Sequence, residues 1–135
     1  KGFCPIHARL TREEVVSAMD EHPKAVFVAH PECSPEVLAL ADYVCSTSGM
    51  FKYARETAIG EIIIGTEKGM LWRLHKENPD KKFYVASTKM VCPNMKKINL
   101  EKIRDSLKEM KYEIHVPEDI RQAAYKAIKK MLELR

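Results

Sequence analysis

The chain of 135 residues is long enough for one domain, or for one domain with part of another, and its 45% hydrophobic and 31% charged residues are typical of a globular protein. Neither an apolar run of membrane-spanning length nor a signal peptide is visible, so we expect a cytoplasmic protein rather than a membrane or secreted one. The net charge of +4 is carried by residues 96–135, where basic and acidic residues mix on predicted helix faces without an aromatic-rich RNA motif. We therefore expect no nucleic acid and no membrane among the partners.

The chain begins at Lys1 without a methionine, which predicts that it is part of a longer polypeptide. It contains four cysteines: Cys4, Cys33, Cys45 and Cys92. A disulfide framework is not expected in a cytoplasmic α/β protein, and no two of the cysteines form a C-x-x-C motif, so metal binding, redox chemistry and simple burial remain open. In the predicted loop GFCPIH, Cys4 and His7 are either a pair of ligands or a loop cysteine beside a surface histidine.

A helix with a T-x-x-E capping box opens at Thr11 and precedes three repeats of one local pattern, in which an apolar strand is followed by a short polar turn and a helix. The three strands and their turns are Ala25–Ala29 with HPEC, Tyr43–Cys45 with CSTSG, and Glu61–Gly65 with GTEKG. Continuous apolar runs are typical of parallel strands that are covered on both faces. Right-handed crossovers would bring all three turns to the same edge of one sheet.

The turns are the predicted functional edge, because ligands of open α/β sheets bind beyond the carboxyl ends of the strands. His30, Glu32 and Cys33 follow the first strand, and Ser46 and Thr47 follow the second. The hydroxyl groups of the second turn, together with a glycine and a helix N-terminus, would either hold a phosphate or carboxylate or serve only as helix caps.

A fourth strand is predicted over Lys82–Ala86, and a second cysteine loop, VCPNMKK, follows it. Helices then run from Asn99 and from Pro117 to Leu134, with a short strand predicted over Glu113–Val116 between them. We expect an α/β fold, a three-layer αβα arrangement with a short parallel sheet, and C-terminal helices that dock on another domain. The predicted divisions are the end of a preceding domain with a cluster cysteine at 1–8, the αβα domain with the substrate turns at 9–92, and the C-terminal helical segment at 93–135.

The motifs GFCPIH, HPEC, CSTSGM, IIIGTEKGM and VCPNMKK occur in this order along the chain. Together they resemble the C-terminal portion of the quinolinate synthases, iron-sulfur enzymes of NAD biosynthesis. The resemblance implies a protein of three similar αβα domains around a [4Fe-4S] cluster that is held by one cysteine from each domain. Cys4 and Cys92 match two of these ligands, and the third lies outside this chain. Cys33 is not expected to bind iron, and Cys45 stands where the family commonly has glycine.

The same resemblance implies the substrates and the site. His30, Pro31 and Glu32 would contact the substrate derived from iminoaspartate, and Ser46 and Thr47 would hold a carboxylate or phosphate. The family condenses iminoaspartate with dihydroxyacetone phosphate and forms quinolinate, with loss of phosphate and water. Glu32 is then the candidate general acid or base and His30 the group that positions or polarises the substrate, with His7 as a weaker candidate beside them. Without the N-terminal portion of the enzyme, we expect this chain neither to hold a complete cluster nor to turn over.

Two other functions are compatible with the same residues. The first is a zinc-dependent hydrolase in which His30, Cys33, Cys4 and His7 bind the metal and Glu32 activates water. The second is a module without catalytic activity, in which the polar turns only bind a phosphate ligand.

Overall fold

The computed structural model describes residues 2–134. The chain divides into two compact units, Lys1–Pro93 and Asn94–Arg135. The helices of the first unit are α1 (Pro5–Ala8), α2 (Arg12–Glu21), α3 (Pro35–Leu38), α4 (Thr47–Glu56) and α5 (Met70–Glu77). Its strands are β1 (Val26–Ala29), β2 (Tyr43–Val44), β3 (Glu61–Gly65) and β4 (Lys82–Val85). The second unit contains a 3-10 turn (Met95–Lys97) and the helices α6 (Leu100–Glu109) and α7 (Glu118–Glu133).

The four strands form one parallel sheet in the order β2-β1-β3-β4. Ala29, the last residue of β1, pairs with Val44 of β2 on one side and with Gly65 of β3 on the other. Three neighbouring strands therefore end at the same level, and the turns that follow them emerge side by side. The predicted parallel sheet, with its polar turns at one edge, is confirmed.

Side chains alternate between the two faces of the sheet, and each face is covered by helices, which gives the predicted three layers. On one face Phe27 and Ile63 pack with Val15 of α2 and Val37 of α3. The opposite face presents the buried side chains Val28, Ile62, Ile64 and Phe83, which pack with Met50 and Ala54 of α4 and with Leu74 of α5. Because both faces are buried, β1 and β3 need no polar residue between their ends.

The helix starts follow from local chemistry. Thr11 Oγ1 accepts a hydrogen bond from the Glu14 backbone N–H, and the Glu14 carboxylate accepts one from the Thr11 N–H, which is the predicted capping box at the start of α2. At the start of α4, Ser46 Oγ accepts a hydrogen bond from the Gly49 N–H. Both caps join atoms that lie within one turn of the chain.

Two local predictions were wrong. The GFCPIH stretch is not a loop throughout, since Pro5–Ala8 forms a short helix with Cys4 at its N-cap. Ile6, on that helix, is buried in the core cluster of the α2 face, and this packing explains how so short a helix is held. No strand forms over residues 113–116, because an isolated segment with strand-like alternation has no partner there among residues 2–134.

The second unit leaves its apolar side chains uncovered. No side chain between residues 94 and 134 is buried. Exposed apolar residues lie along both helices: Leu100, Ile103 and Leu107 on α6, and Ile120, Tyr125, Ile128, Met131 and Leu132 on α7. Neither of these helices, nor any other formed by residues 2–134, combines the length and the apolar character that a membrane crossing requires.

Candidate active site

The candidate site lies where β1 and β3 end and where α1 packs against the same core. His30 and Glu32 follow β1, and Thr66 follows Gly65 of β3. His7 reaches this edge from α1, because the neighbouring Ile6 anchors that helix in the core. The register of the sheet therefore brings together groups that are far apart along the chain.

His7 is the central side chain of the site, since both of its ring nitrogens are engaged. Its Nε2 lies 2.8 Å from Thr66 Oγ1 and its Nδ1 lies 2.9 Å from Glu32 Oε2. The residue is only 6% exposed, and Thr66 only 2%. A neutral imidazole with its proton on Nδ1 satisfies both contacts, because it donates to the carboxylate and accepts from the threonine hydroxyl. Thr66 and His7 thereby orient the carboxylate of Glu32.

His30 stacks on His7, with ring centroids 4.0 Å apart and an angle of 13° between the ring planes. Its Nδ1 accepts a hydrogen bond from the Glu32 backbone N–H at 3.2 Å, so in the neutral ring the proton is on Nε2. Burial lowers the pKa of His30, the nearby His7 lowers it further, and the Glu32 carboxylate opposes both. At neutral pH, His30 is thus a neutral hydrogen-bond donor through Nε2–H.

Glu32 is the most accessible group of the cluster. Its Oε2 is bonded to His7 and lies 3.7 Å from His30 Nδ1, yet 49% of its side chain is exposed. The preceding Pro31 is also exposed. A carboxylate that is fixed on one side and open on the other has the geometry of a group that transfers a proton to or from a bound molecule.

Cys4 lies beside this cluster. One ligand atom each from Cys4, His7 and Glu32 lies within 4.8 Å of the other two, which is the spacing of a possible metal site. Cys4 is partly buried and has no disulfide partner. Thiolate, imidazole and carboxylate are ligands of transition metals, and thiolates in particular hold iron-sulfur clusters.

Cys92 is, with Cys4, a partly buried cysteine that packs against the core cluster of the α2 face. It follows β4 in a segment without regular structure, is partly buried, and packs against the same core cluster as Cys4. Its backbone N–H donates to Glu67 Oε1 at 3.3 Å. Two thiols on one core fit an iron-sulfur group in ligand type, although a cluster held by three or four cysteines needs further ligands.

The other two cysteines are in environments that suppress their reactivity. Cys33 is buried, its Sγ lies 3.6 Å from the Gly65 carbonyl oxygen, and burial raises the pKa of its thiol to about 11. Cys45 packs against Gly49, where an added Cβ would lie 2.7 Å from the Cys45 Cβ, and burial raises the pKa of this thiol as well. These surroundings favour a packing role for both residues.

Ser46 and Thr47 are exposed at the start of α4, which follows β2, the strand next to β1. The Ser46 hydroxyl caps α4, which agrees with the interpretation of these hydroxyl groups as helix caps. Binding of an anion by Ser46 and Thr47 stays a prediction. It is compatible with the exposed N-terminus of α4, a helix of ten residues.

Sequence reasoning drew attention to the GTEKG turn but missed the roles of Thr66 and Glu67 within it. Both residues are buried, at 2% and 8% exposure. The available signal was a pair of polar residues directly after the most apolar strand, at the same sheet edge as His30. Their partners could not be identified, because they lie 59 and 25 residues away in the chain.

Comparison with known proteins relates these residues to one family. The family model described as quinolinate synthetase A protein matches residues 1–133. The chain is 55% identical to the quinolinate synthase of Thermodesulfovibrio yellowstonii and 52% identical to that of Geotalea uraniireducens, over 133 residues in each case. It is 46% identical to the quinolinate synthase of Methanosarcina barkeri over 135 residues. These alignments cover 98% to 100% of this chain but 44% of each relative, so the chain spans less than half the length of the proteins it matches. The match to the family model and the identity to these relatives show that the chain belongs to the quinolinate synthase family.

Proposed function

We propose that this chain supplies the C-terminal portion of a quinolinate synthase, which condenses iminoaspartate with dihydroxyacetone phosphate to form quinolinate, with loss of phosphate and water. The observation that carries the proposal is the group of His7, His30 and Glu32 at the sheet edge, with Cys4 within ligand distance of two of them. The relatives bear the same name. Because they are longer, the remaining site residues would come from an N-terminal portion, which we propose as the partner of this chain.

Cys4 and Cys92 are the residues of this chain that would hold a [4Fe-4S] cluster, with the third cysteine in the N-terminal portion. When bound, a cluster with one open iron position would act as a Lewis acid toward a substrate oxygen. The fit rests on ligand type: Cys4 and Cys92 are partly buried and pack on one core, whereas burial in that core keeps Cys33 protonated. Cys33 and Cys45 are not proposed as ligands.

The protein side chains would bind substrate and move protons. Glu32, oriented through Oε2 by His7, accepts a proton from the substrate or returns one to it. His30 donates through Nε2–H to a substrate oxygen and so polarises it, with Pro31 shaping the turn beside it. Ser46 and Thr47 bind a carboxylate or phosphate at the N-terminus of α4.

The test is anaerobic reconstitution of this chain together with the N-terminal portion, using iron and sulfide. Glu32→Gln should lower kcat by a factor on the order of 10² or more, because an amide cannot exchange the proton. Glu36→Gln is the matched control, since Glu36 is an exposed carboxylate on the neighbouring helix α3. Unaltered turnover in the Glu32 variant would contradict the acid-base role, and robust synthesis by the 135-residue chain alone would contradict the need for a partner.

The grouping of Cys4, His7 and Glu32 also favours a second candidate, a zinc-dependent hydrolase. In that case Glu32 would be a metal ligand rather than the base that activates water, and Cys33 would take no part, because its thiol is buried against Gly65. Metal analysis of anaerobically purified protein distinguishes the two functions: zinc without iron and sulfide would favour the hydrolase. Phosphate binding without any turnover in the reconstituted protein would instead favour the binding module.

The exposed apolar faces of α6 and α7 lead to a related proposal, that the segment 93–135 docks on the N-terminal portion. This proposal includes the division of the chain into residues 1–8, 9–92 and 93–135. We also propose a cytoplasmic location, in keeping with a biosynthetic enzyme that holds reduced thiols.

A further inference from the structure

Glu67 is a buried carboxylate outside the proposed proton-transfer group. The residue is 8% exposed and lies in the turn that follows β3. Its Oε2 accepts a hydrogen bond from the Gly69 N–H at 2.7 Å, and its Oε1 accepts one from the Cys92 N–H at 3.3 Å. Carboxylates are rarely buried unless hydrogen bonds compensate the loss of water, so these contacts account for the position of this side chain.

The contact with Cys92 joins two segments that are not otherwise neighbours in the chain. A second bond runs parallel to it, from the Lys68 N–H to the Met90 carbonyl oxygen at 2.9 Å. Residues 90–92 have no helical or strand structure, and Met90 is buried against the core. The backbone position of Cys92 is therefore set by tertiary hydrogen bonds rather than by a regular element.

The residue before Glu67 acts on the other cysteine segment. Thr66 is bonded through its hydroxyl to His7, which lies on the short helix that Cys4 immediately precedes. Two consecutive residues of one turn thus hold the two segments that carry Cys4 and Cys92. The end of β3, which is paired on both sides in the sheet, is a rigid base for such an arrangement.

We infer that Glu67 is a positioning residue: its carboxylate, held by the Gly69 N–H of its own turn, accepts the hydrogen bond from the Cys92 N–H and so fixes the loop that presents Cys92 to the iron-sulfur cluster. The inference rests on the proposed function, because it takes Cys92 as a cluster ligand. Hydrogen bonds from backbone N–H groups to a carboxylate are stronger than those to neutral acceptors, which suits a residue that must hold an irregular loop. Groups that orient ligands in this way commonly control how well a metal centre assembles.

The test compares Glu67→Gln with the unaltered protein, both prepared with the N-terminal portion. Glutamine keeps the size of the side chain but replaces one acceptor oxygen by an N–H donor. We expect the remaining oxygen to keep the shorter bond to Gly69, and the Cys92 amide to lose its acceptor. In the apo protein, hydrogen exchange at Cys92 should then rise by about tenfold or more while the amides of β1 and β3 stay protected.

The second measurement is the assembly of the cluster. Iron and sulfide bound per chain, and the visible absorption that they produce, should fall in Glu67→Gln at limiting iron. Glu61→Gln is the matched control, because Glu61 is a carboxylate at the opposite end of β3 that contacts Tyr84 and Lys82. Glu61→Gln should leave both the exchange rate of the Cys92 amide and the amount of assembled cluster unchanged.

Each outcome decides the inference. Unprotected exchange at Cys92 in the unaltered apo protein overturns it without any variant. Unchanged exchange in both Glu67→Gln and Glu67→Ala overturns it, as does normal cluster assembly in a variant whose Cys92 amide has been released. If the unaltered protein assembles no cluster under any condition, the proposed function has failed. The exchange data are obtained on apo protein, so they distinguish that failure from the absence of the hydrogen bond between Glu67 and the Cys92 N–H.

Discussion

Replacement of Thr66 by valine tests the hydrogen bond that connects β3 to His7. Valine matches threonine closely in shape, so the main change is loss of the hydroxyl that lies 2.8 Å from His7 Nε2. Both residues are buried, and water does not readily replace the lost donor. An unsatisfied buried acceptor costs about 1–3 kcal/mol, and we expect Thr66→Val to lower the free energy of unfolding by that amount.

A double-mutant cycle isolates this bond from other effects of the substitution. In a His7→Phe background the ring remains but the acceptor nitrogen is absent, so Thr66→Val should then be close to neutral. The coupling free energy between positions 66 and 7 should be about 1–3 kcal/mol. Thr66→Ser serves as the conservative variant: it keeps the donor and loses one methyl group, which costs roughly 0.8 kcal/mol.

The assay is urea unfolding, monitored by far-ultraviolet circular dichroism. The dependence of the free energy of unfolding on urea concentration is compared across the four proteins of the cycle. A valine variant as stable as the unaltered protein would show that the hydrogen bond between Thr66 and His7 does not stabilise the fold. An equal loss in both backgrounds would do so as well, since the energy would then come from packing and not from the contact with His7.

The remaining predictions concern other parts of the first unit. Lys81→Met should lower the free energy of unfolding by about 1–2 kcal/mol, because the Lys81 ammonium donates to the carbonyl oxygens of Ala54 and Thr57 at the end of α4. Thermal unfolding measures the difference, and a variant of equal stability would contradict the prediction. Gly65→Ala should lower stability by about 1–3 kcal/mol, since its Cβ would lie 2.9 Å from the buried Phe27 ring, whereas Gly60→Ala meets no atom within 4 Å and should be tolerated. Near pH 8 the Cys33 thiol should react with iodoacetamide roughly 100-fold more slowly than an ordinary cysteine, because a pKa of about 11 instead of 9.0 leaves roughly 100-fold less thiolate. Peptide mass spectrometry measures the labelling rate. Fast labelling of Cys33 in the folded protein would contradict the raised pKa.

Much of the sheet could be predicted from local signals. Glu61–Gly65 was identified with its observed bounds, because a run of isoleucines between polar turns has few other uses than a buried strand. The capping box at Thr11 also formed as expected, since all of its atoms lie within one turn of chain. Short helices and strands were harder to predict. The helix Pro5–Ala8 depends on the burial of Ile6, and the strand-like pattern at 113–116 found no partner, so neither outcome was readable from neighbouring residues.

The candidate site divides in the same way. His30 and Glu32 were found because the end of a parallel strand is a position where function is common, and their motif resembles that of a known family. The buried roles of Thr66 and Glu67 were not found, because each depends on a partner in a distant segment.

From the sequence it was possible to predict the succession of helices and strands between Thr11 and Val85, the edge at which the polar turns meet, and the family to which the chain belongs. Each of these is encoded by neighbouring residues or by motifs in a fixed order. The position of His7 between Thr66 and Glu32, and the hydrogen bond from the Cys92 N–H to Glu67, are seen only in the folded structure. The physical reason is that hydrogen bonds between distant segments depend on strand register and on core packing, which bring the donor within about 3 Å of its acceptor only when the whole unit has folded.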